Sequence, residues 1–229
     1  MRLTKRHVAL LARDIADPGP MPDVALSTDE DYARYVADIL AAGPGTGEVW
    51  LFAYGSLIWK PACAFVEIRT GTLRGWHRAF CLGWTRRFRA TDDNPGLMLA
   101  LDRGGTCKGA LYRLPPGQAE PNLNKLVQRE MPFKPSSFPP RWVNVATETG
   151  VTRAITFCID RKGGRYVTGL SDHEVADVLA RAVGSRGSMA EYLYSTVRHL
   201  EDLDIHDRHL WRLQELVADR IEAAYGADH

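Results

Sequence analysis

The chain has 229 residues, 45% hydrophobic and 25% charged, enough apolar side chain to close a core and the balance of an ordinary globular protein. Its 29 basic and 28 acidic residues leave a net charge of +1, so no global field favours nucleic acid or an anionic membrane, and a charged ligand has to be recognised locally. No run approaches the roughly 20 apolar residues of a membrane helix, and the basic opening MRLTKRHVALLARDI, which mimics a signal peptide, is broken by Arg13 and Asp14; the chain is expected in the cytoplasm, away from membranes.

Residues 1–47 are expected as an N-terminal helical extension packed on the core, with residues 48–229 forming the main domain. Ser27 and Glu30 are spaced as a capping box, and Tyr32, Tyr35, Val36, Ile39 and Leu40 then recur at helical intervals until Gly43-Pro44-Gly45. From Val49 to Ile159 β-formers dominate in short runs, VWLFA, FVEIRTGTL, RAFCLGW, LMLAL, CKGALYRL and TRAITFCI. LDRGGTCKG between two of them predicts a hairpin.

One helix interrupts the strands. Pro121 suits a first turn, Leu123, Leu126 and Val127 share a face, and Pro132 stops it after Gln128-Arg129-Glu130-Met131. The C-terminal part turns helical again, with capping boxes predicted at Ser171/Glu174 and Ser188/Glu191 and an amphipathic stretch from about Ile205 to Tyr225. This order predicts an α+β protein, a compact sheet curled into a barrel and flanked by helices, rather than a βαβ series.

The run VWLFA breaks at once into Tyr54-Gly55-Ser56-Leu57. A glycine there permits a sharp turn and close approach of a ligand, and consecutive amides released from strand pairing can converge on an anion or oxyanion. An ordinary turn is the plainer reading of those four residues alone. Their surroundings say more. VWLFAYGSLIWKP (49–61), GTLRGWHRAFCL (71–82), NPGLMLAL (94–101), GALYRL (109–114), QREM (128–131) and RAVGSRGSMAEYLYSTVRHLEDL resemble, in order and spacing, the ChaC-like γ-glutamylcyclotransferases, the glutathione-specific branch of that family.

The resemblance implies a small mixed β-barrel flanked by helices, no cofactor and no metal, and cleavage of glutathione to 5-oxoproline and cysteinylglycine. It implies that the corner made of Leu51, Phe52, Ala53, Tyr54, Gly55, Ser56 and Leu57 holds the γ-glutamyl group and that Glu130 is the catalytic acid and base. The chemistry suits these residues. A γ-glutamyl amide carries its own nucleophile, so the protein has to fold the substrate, move a proton from ammonium to leaving amine, and steady the oxyanion. A glutamate serving as base is expected to have its pKa raised by burial. The plainer reading of Glu130 is a helix-end carboxylate paired with Arg129 or Lys134. Two other functional readings stay open: cyclisation of other γ-glutamyl amides, and a non-catalytic γ-glutamyl-binding module.

The sequence departs from the family pattern twice. Ala53 stands where the family's loop usually has glycine, and Leu97 where it often has arginine, with Arg86, Arg87 and Arg89 nearby as substitutes. Those arginines, interleaved with Trp84 and Phe88, are also the best case for nucleic acid, but three cations without a wider basic field read as a solvated loop or a small-anion site. His199, His206 and His209 lack metal-ligand spacing and read as surface residues. Gly184–Ser188 looks like a phosphate loop but reads as a helix cap, Tyr166 is expected either near the site or in the core, and Cys63, Cys81, Cys107 and Cys158 read as core thiols in a reducing compartment. The partner expected is one small molecule.

Overall fold

The computed structural model describes residues 1–21 and 24–226. In chain order its elements are α1 (Lys5–Leu10), β1 (Ala25–Leu26), α2 (Asp29–Ala41), β2 (Trp50–Ala53), α3 (Ser56–Trp59), β3 (Glu67–Thr85), β4 (Gly96–Arg113) and α4 (Ala119–Glu130). There follow β5 (Phe133–Lys134), β6 (Pro140–Thr147), β7 (Gly150–Phe157), α5 (Asp172–Arg181), β8 (Val183–Gly184), β9 (Gly187–Ser188), α6 (Met189–Glu201) and α7 (Arg208–Tyr225). The described residues form two compact units. One comprises Met1–Met21, Phe80–Leu99 and residues 165–226; the other comprises residues 24–79 and Ala100–Gly164. The segment 1–47 is thus shared between the two.

Strands β2, β6 and β7 of the second unit close a barrel with β3 and β4 in the order β2-β4-β3-β6-β7. All four residues of β2 are buried, as an apolar run without alternation requires of a strand covered on both faces. It pairs antiparallel with β4, from Trp50↔Arg113 to Ala53↔Ala110, and parallel with β7 at Leu51↔Ile155. Phe52, Leu73, Leu111, Val145, Ile155 and Phe157 fill the core.

The expected LDRGGTCKG hairpin is corrected here: β4 runs through it as one strand. Gly104 (φ +101°) and Gly105 (φ +69°) take the left-handed conformation, as Gly75 (φ +81°) does within β3. The same backbone freedom that closes a tight turn also bends a long strand around a barrel, and sequence alone does not separate the two uses. The Ser136-Ser137-Phe138-Pro139-Pro140 run masks strand β6 in the sequence, yet Val143 and Val145 are buried while Asn144 and Ala146 stay exposed.

Helix α2 begins one residue later than Ser27 predicted. Thr28 is the N-cap and forms the reciprocal box with Asp31. Ser27 instead donates its Oγ to Met131 O (2.9 Å) and its N–H to Pro132 O (3.0 Å), beside the β1–β5 pairing. Asp31 then receives Lys134 Nζ and Arg34 Nη2, each at 2.6 Å, and these two cations hold its carboxyl well below the usual range. Helix α4 buries Leu123, Leu126 and Val127 and ends at Glu130.

In the first unit Ser171 and Glu174 make the predicted capping box of α5. Ser188 caps α6 by accepting from Glu191 N, but the Glu191 carboxylate turns to Arg89 (2.7 Å). Helix α7 starts at Arg208 behind Asp207, later than Ile205 suggested. Leu3 N donates to Oε1 of the fully buried Gln214 at 2.6 Å, Arg2 pairs with Asp219 at 2.7 Å, and His7 Nε2 lies 3.0 Å from Glu222. Among the described residues no helix is long and apolar enough to cross a membrane.

Candidate active site

The corner after β2 is built by its neighbours. Thr156 Oγ1 donates to Phe52 O (2.9 Å) and Tyr54 Oη to Phe157 O (3.0 Å), which ties the strand end to β7. Opposite, Gly109 on β4 leaves no room to spare: a Cβ there would sit 2.4 Å from Ala53 O and 2.8 Å from Phe52 Cζ. The buried Arg78 of β3 donates from Nε to Tyr54 O (2.6 Å) and from Nη2 to Lys108 O. The chain then turns at Gly55 into the single turn α3, whose far end is fixed by Tyr112 Oη donating to Ile58 O at 3.1 Å. The first amides of such a turn have no intrahelical acceptor and remain donors.

Leu51, Phe52 and Ala53 are fully buried, and Tyr54 and Leu57 nearly so. The corner therefore has backbone groups and the half-buried Ser56 to offer, rather than a row of side chains. Ala53 lies in the extended strand β2, paired with Ala110, so its Cβ costs nothing there.

Glu130 reaches this corner through Arg129. The guanidinium lies 3.1 Å from Glu130 Oε1 through Nε, donates from Nη2 to Ser56 Oγ (2.9 Å), and donates from Nη1 to Lys60 O. The ion pair anticipated by the plainer reading is thus present with Arg129, while Lys134 is engaged by Asp31. The Glu130 side chain keeps 15% of its exposure. Burial pushes its pKa up, and the adjacent guanidinium opposes that rise without cancelling it. A nearly enclosed carboxylate of raised pKa, one guanidinium from a set of backbone donors, can exchange a proton with a bound amine.

Arg78, Gly109 and Tyr112 shape the corner without a sequence motif that marks them, and Arg129, expected only as a partner of Glu130, also reaches Ser56 and Lys60. Arg78 had a signal: a cation inside the strand-like run HRAFCLGW is either at an edge or buried with a purpose. The remaining candidates lie elsewhere in the chain. Arg87 pairs with Asp17 (2.6 Å), Arg89 with Glu191, and Arg86 with Asp92 (3.6 Å), so each already faces a carboxylate. Leu97 is fully buried, and Tyr166 bridges Leu82. His199, His206 and His209 contact Ser195 O, Glu201 and Asp172 separately, and no metal-holding group of three is found among the described residues. All four cysteines are buried thiols outside any disulfide.

The fold and the sequence are matched by known proteins. Residues 49–220 match the family model described as ChaC-like protein, and the chain belongs to that family. It is 40% identical over 190 residues to the glutathione-specific γ-glutamylcyclotransferase of Escherichia coli (strain K12), covering 82% of this chain and 81% of that one. Identity to the glutathione-specific γ-glutamylcyclotransferase 1 of Danio rerio is 27% over 186 residues, 77% of this chain and 91% of that one. The crystal structure of a yeast γ-glutamylcyclotransferase specific to glutathione superposes with a TM-score of 0.68 at 21% identity, over 75% of this chain and 96% of that chain, and shares the fold.

Proposed function

We propose that this protein is a γ-glutamylcyclotransferase that converts glutathione to 5-oxoproline and cysteinylglycine. The α-amine of the γ-glutamyl group attacks its own γ-carbonyl, forming the lactam C–N bond through a tetrahedral oxyanion. The γ-amide C–N bond then breaks and the cysteinyl amine leaves. Glu130 takes one proton from the ammonium before attack and gives it to the leaving nitrogen as the γ-amide C–N bond breaks. The second proton, which the attacking nitrogen sheds on becoming a neutral lactam N–H, follows the same route, so that cysteinylglycine departs as an ammonium and atoms and charge balance without water or an added reagent. The amides of Gly55, Ser56 and Leu57 receive the oxyanion, where each such donor is typically worth about 3 kcal/mol.

The observation that supports the reading is the Arg129 guanidinium, which contacts both Ser56 Oγ of the corner and the carboxylate of Glu130, whose pKa burial raises. The family and the 40% identical E. coli relative support the substrate. Four thiols outside any disulfide fit a reducing cytoplasm, and a net charge of +1 fits a small-molecule enzyme without nucleic-acid or membrane partners. Incubation of purified protein with millimolar glutathione, with 5-oxoproline read by mass spectrometry, tests the assignment. Release of 5-oxoproline supports it; folded protein that releases none refutes it. A panel of γ-glutamyl dipeptides and amines then ranks leaving groups, and preference for one lacking the glycine carboxylate would move the assignment to other γ-glutamyl amides.

A further inference from the structure

The residues that hold the corner are as informative as the corner itself. Arg78 is 3% exposed, on a barrel strand, where a charged side chain is retained only with well-placed partners. Its Nε donates to the Tyr54 carbonyl at 2.6 Å and its Nη2 to the carbonyl of Lys108, the residue before the glycine on which β2 rests. One guanidinium thus spans the corner and the strand facing it. Charge-assisted hydrogen bonds of this kind are short and roughly twice as strong as neutral ones.

The Tyr54 carbonyl and the Gly55 N–H belong to one trans peptide plane, and in such a plane C=O and N–H point in opposite directions. Fixing the carbonyl on Arg78 therefore fixes the direction of the Gly55 N–H. A cation on the oxygen also withdraws electron density through the amide and makes that N–H a better donor, the cooperative strengthening expected where one peptide both accepts and donates. Tyr54 is held at its other end by Phe157 O, and Gly55 starts α3, so the plane is clamped on both sides.

We propose that Arg78 is a positioning residue for the cyclisation: it aims and polarises the Gly55 N–H toward the oxyanion formed at the γ-carbonyl. This rests on the function proposed above and assigns a part to a side chain that touches no substrate. It differs from a purely structural role. An arginine that only stabilised the barrel would change the melting temperature, whereas one acting through this peptide changes the transition state and the Gly55 amide together.

The test uses the full chain with Arg78→Met and Arg78→Lys. Methionine removes the cation and keeps apolar bulk; lysine keeps the charge but loses the fork that reaches both carbonyls. Arg78→Met is expected to lose about tenfold in kcat, a fraction of the roughly 10²–10³ that removing a whole oxyanion donor costs. Its KM is expected to stay within about twofold, since the lost interaction forms only in the transition state. With selective ¹⁵N-glycine labelling, the Gly55 amide proton resonance is expected to move upfield in the same variant. Arg78→Lys is expected to fall between wild type and Arg78→Met in both readouts. A folded Arg78→Met with an unmoved Gly55 resonance, or with kcat within about twofold of wild type, overturns the proposal. If Arg78→Met does not fold, Arg78→Lys decides: a wild-type kcat together with a wild-type Gly55 resonance overturns it. If wild type releases no 5-oxoproline the functional assignment fails instead, and the Gly55 resonance alone then judges whether Arg78 acts on this peptide.

Discussion

Gly109 is the tightest point beneath the corner, and replacing it with alanine turns that tightness into a measurable quantity. The added Cβ would lie 2.4 Å from Ala53 O and 2.8 and 2.9 Å from Phe52 Cζ and Cε2. A carbon and a carbonyl oxygen rest about 3.3 Å apart, so β4 and β2 have to separate by about 0.9 Å. A ladder hydrogen bond of about 2.9 Å stretched by that amount is no longer one. Overpacking of a closed core costs about 1–3 kcal/mol, and one lost ladder bond adds about 1 kcal/mol. The expected total is about 2–4 kcal/mol, or a fall on the order of 10 °C in Tm for a chain of this length. A displacement of about 1 Å at the corner is also expected to cost roughly 10²-fold in kcat/KM. Gly164→Ala is the control, because its Cβ meets nothing within 4 Å, and it should stay within about 0.5 kcal/mol of wild type. Circular-dichroism melts and 5-oxoproline release below the transition give both readouts. A Gly109→Ala protein that melts with the control and turns over normally refutes the reasoning.

Glu130→Gln is expected to lose about 10²–10⁴-fold in kcat while folding normally. It should also be more stable than wild type at pH 8. Burial raises the folded pKa above the unfolded value of about 4.3, so the penalty on ionised Glu130 is absent below that value and grows as pH rises to the folded pKa. Urea titrations should show the two proteins converging near pH 4, and an equal gap at pH 4 and pH 8 would contradict this. Arg129→Gln removes the cation that holds the Glu130 pKa down; the acid limb of the kcat/KM profile should move to higher pH and kcat/KM at pH 7 should fall by about tenfold. An unmoved limb counts against the bridge. Burial pushes the thiols of Cys63 and Cys158 up to about 11 and about 12, and Cys81 and Cys107 are also buried. Native protein at pH 7.5 should therefore resist a disulfide reagent for minutes, with all four thiols reacting after denaturation.

Much of the β region was legible because its strands are apolar runs cut by glycine and proline. VWLFA, CKGALYRL and TRAITFCI are all strands of the barrel. The Gly-Gly signal in LDRGGTCKG was legible as a positive-φ position but not as a bend, since strand continuity depends on neighbours that local sequence does not name. Thr28 displaced Ser27 as the cap of α2 because both fit the motif, and the choice was made by Ser27 finding Met131 O over a hundred residues away. At the candidate site, Tyr54–Leu57 and Glu130 were visible as motif and Arg129 as a neighbour of Glu130, whereas Arg78, and the reach of Arg129 to Ser56 and Lys60, become visible only once β3 and α4 are in place. A guanidinium's value lies in what it reaches, and reach is a property of the fold.

The bond from Leu3 N to Gln214 Oε1 joins positions 211 apart in sequence, and the ion pair of Arg2 and the His7–Glu222 contact span similar separations. On a ribosome adding about 5–20 residues per second, the first helix waits roughly 10–40 s for its docking partner to be made. During that interval the α7 face that α1 packs against does not yet exist, and Leu3 and Leu11, both buried in the finished fold, are left partly uncovered. Expression yield should accordingly respond to chaperone supply and growth temperature, and amino-terminal fragments ending before α7 should be sticky rather than soluble.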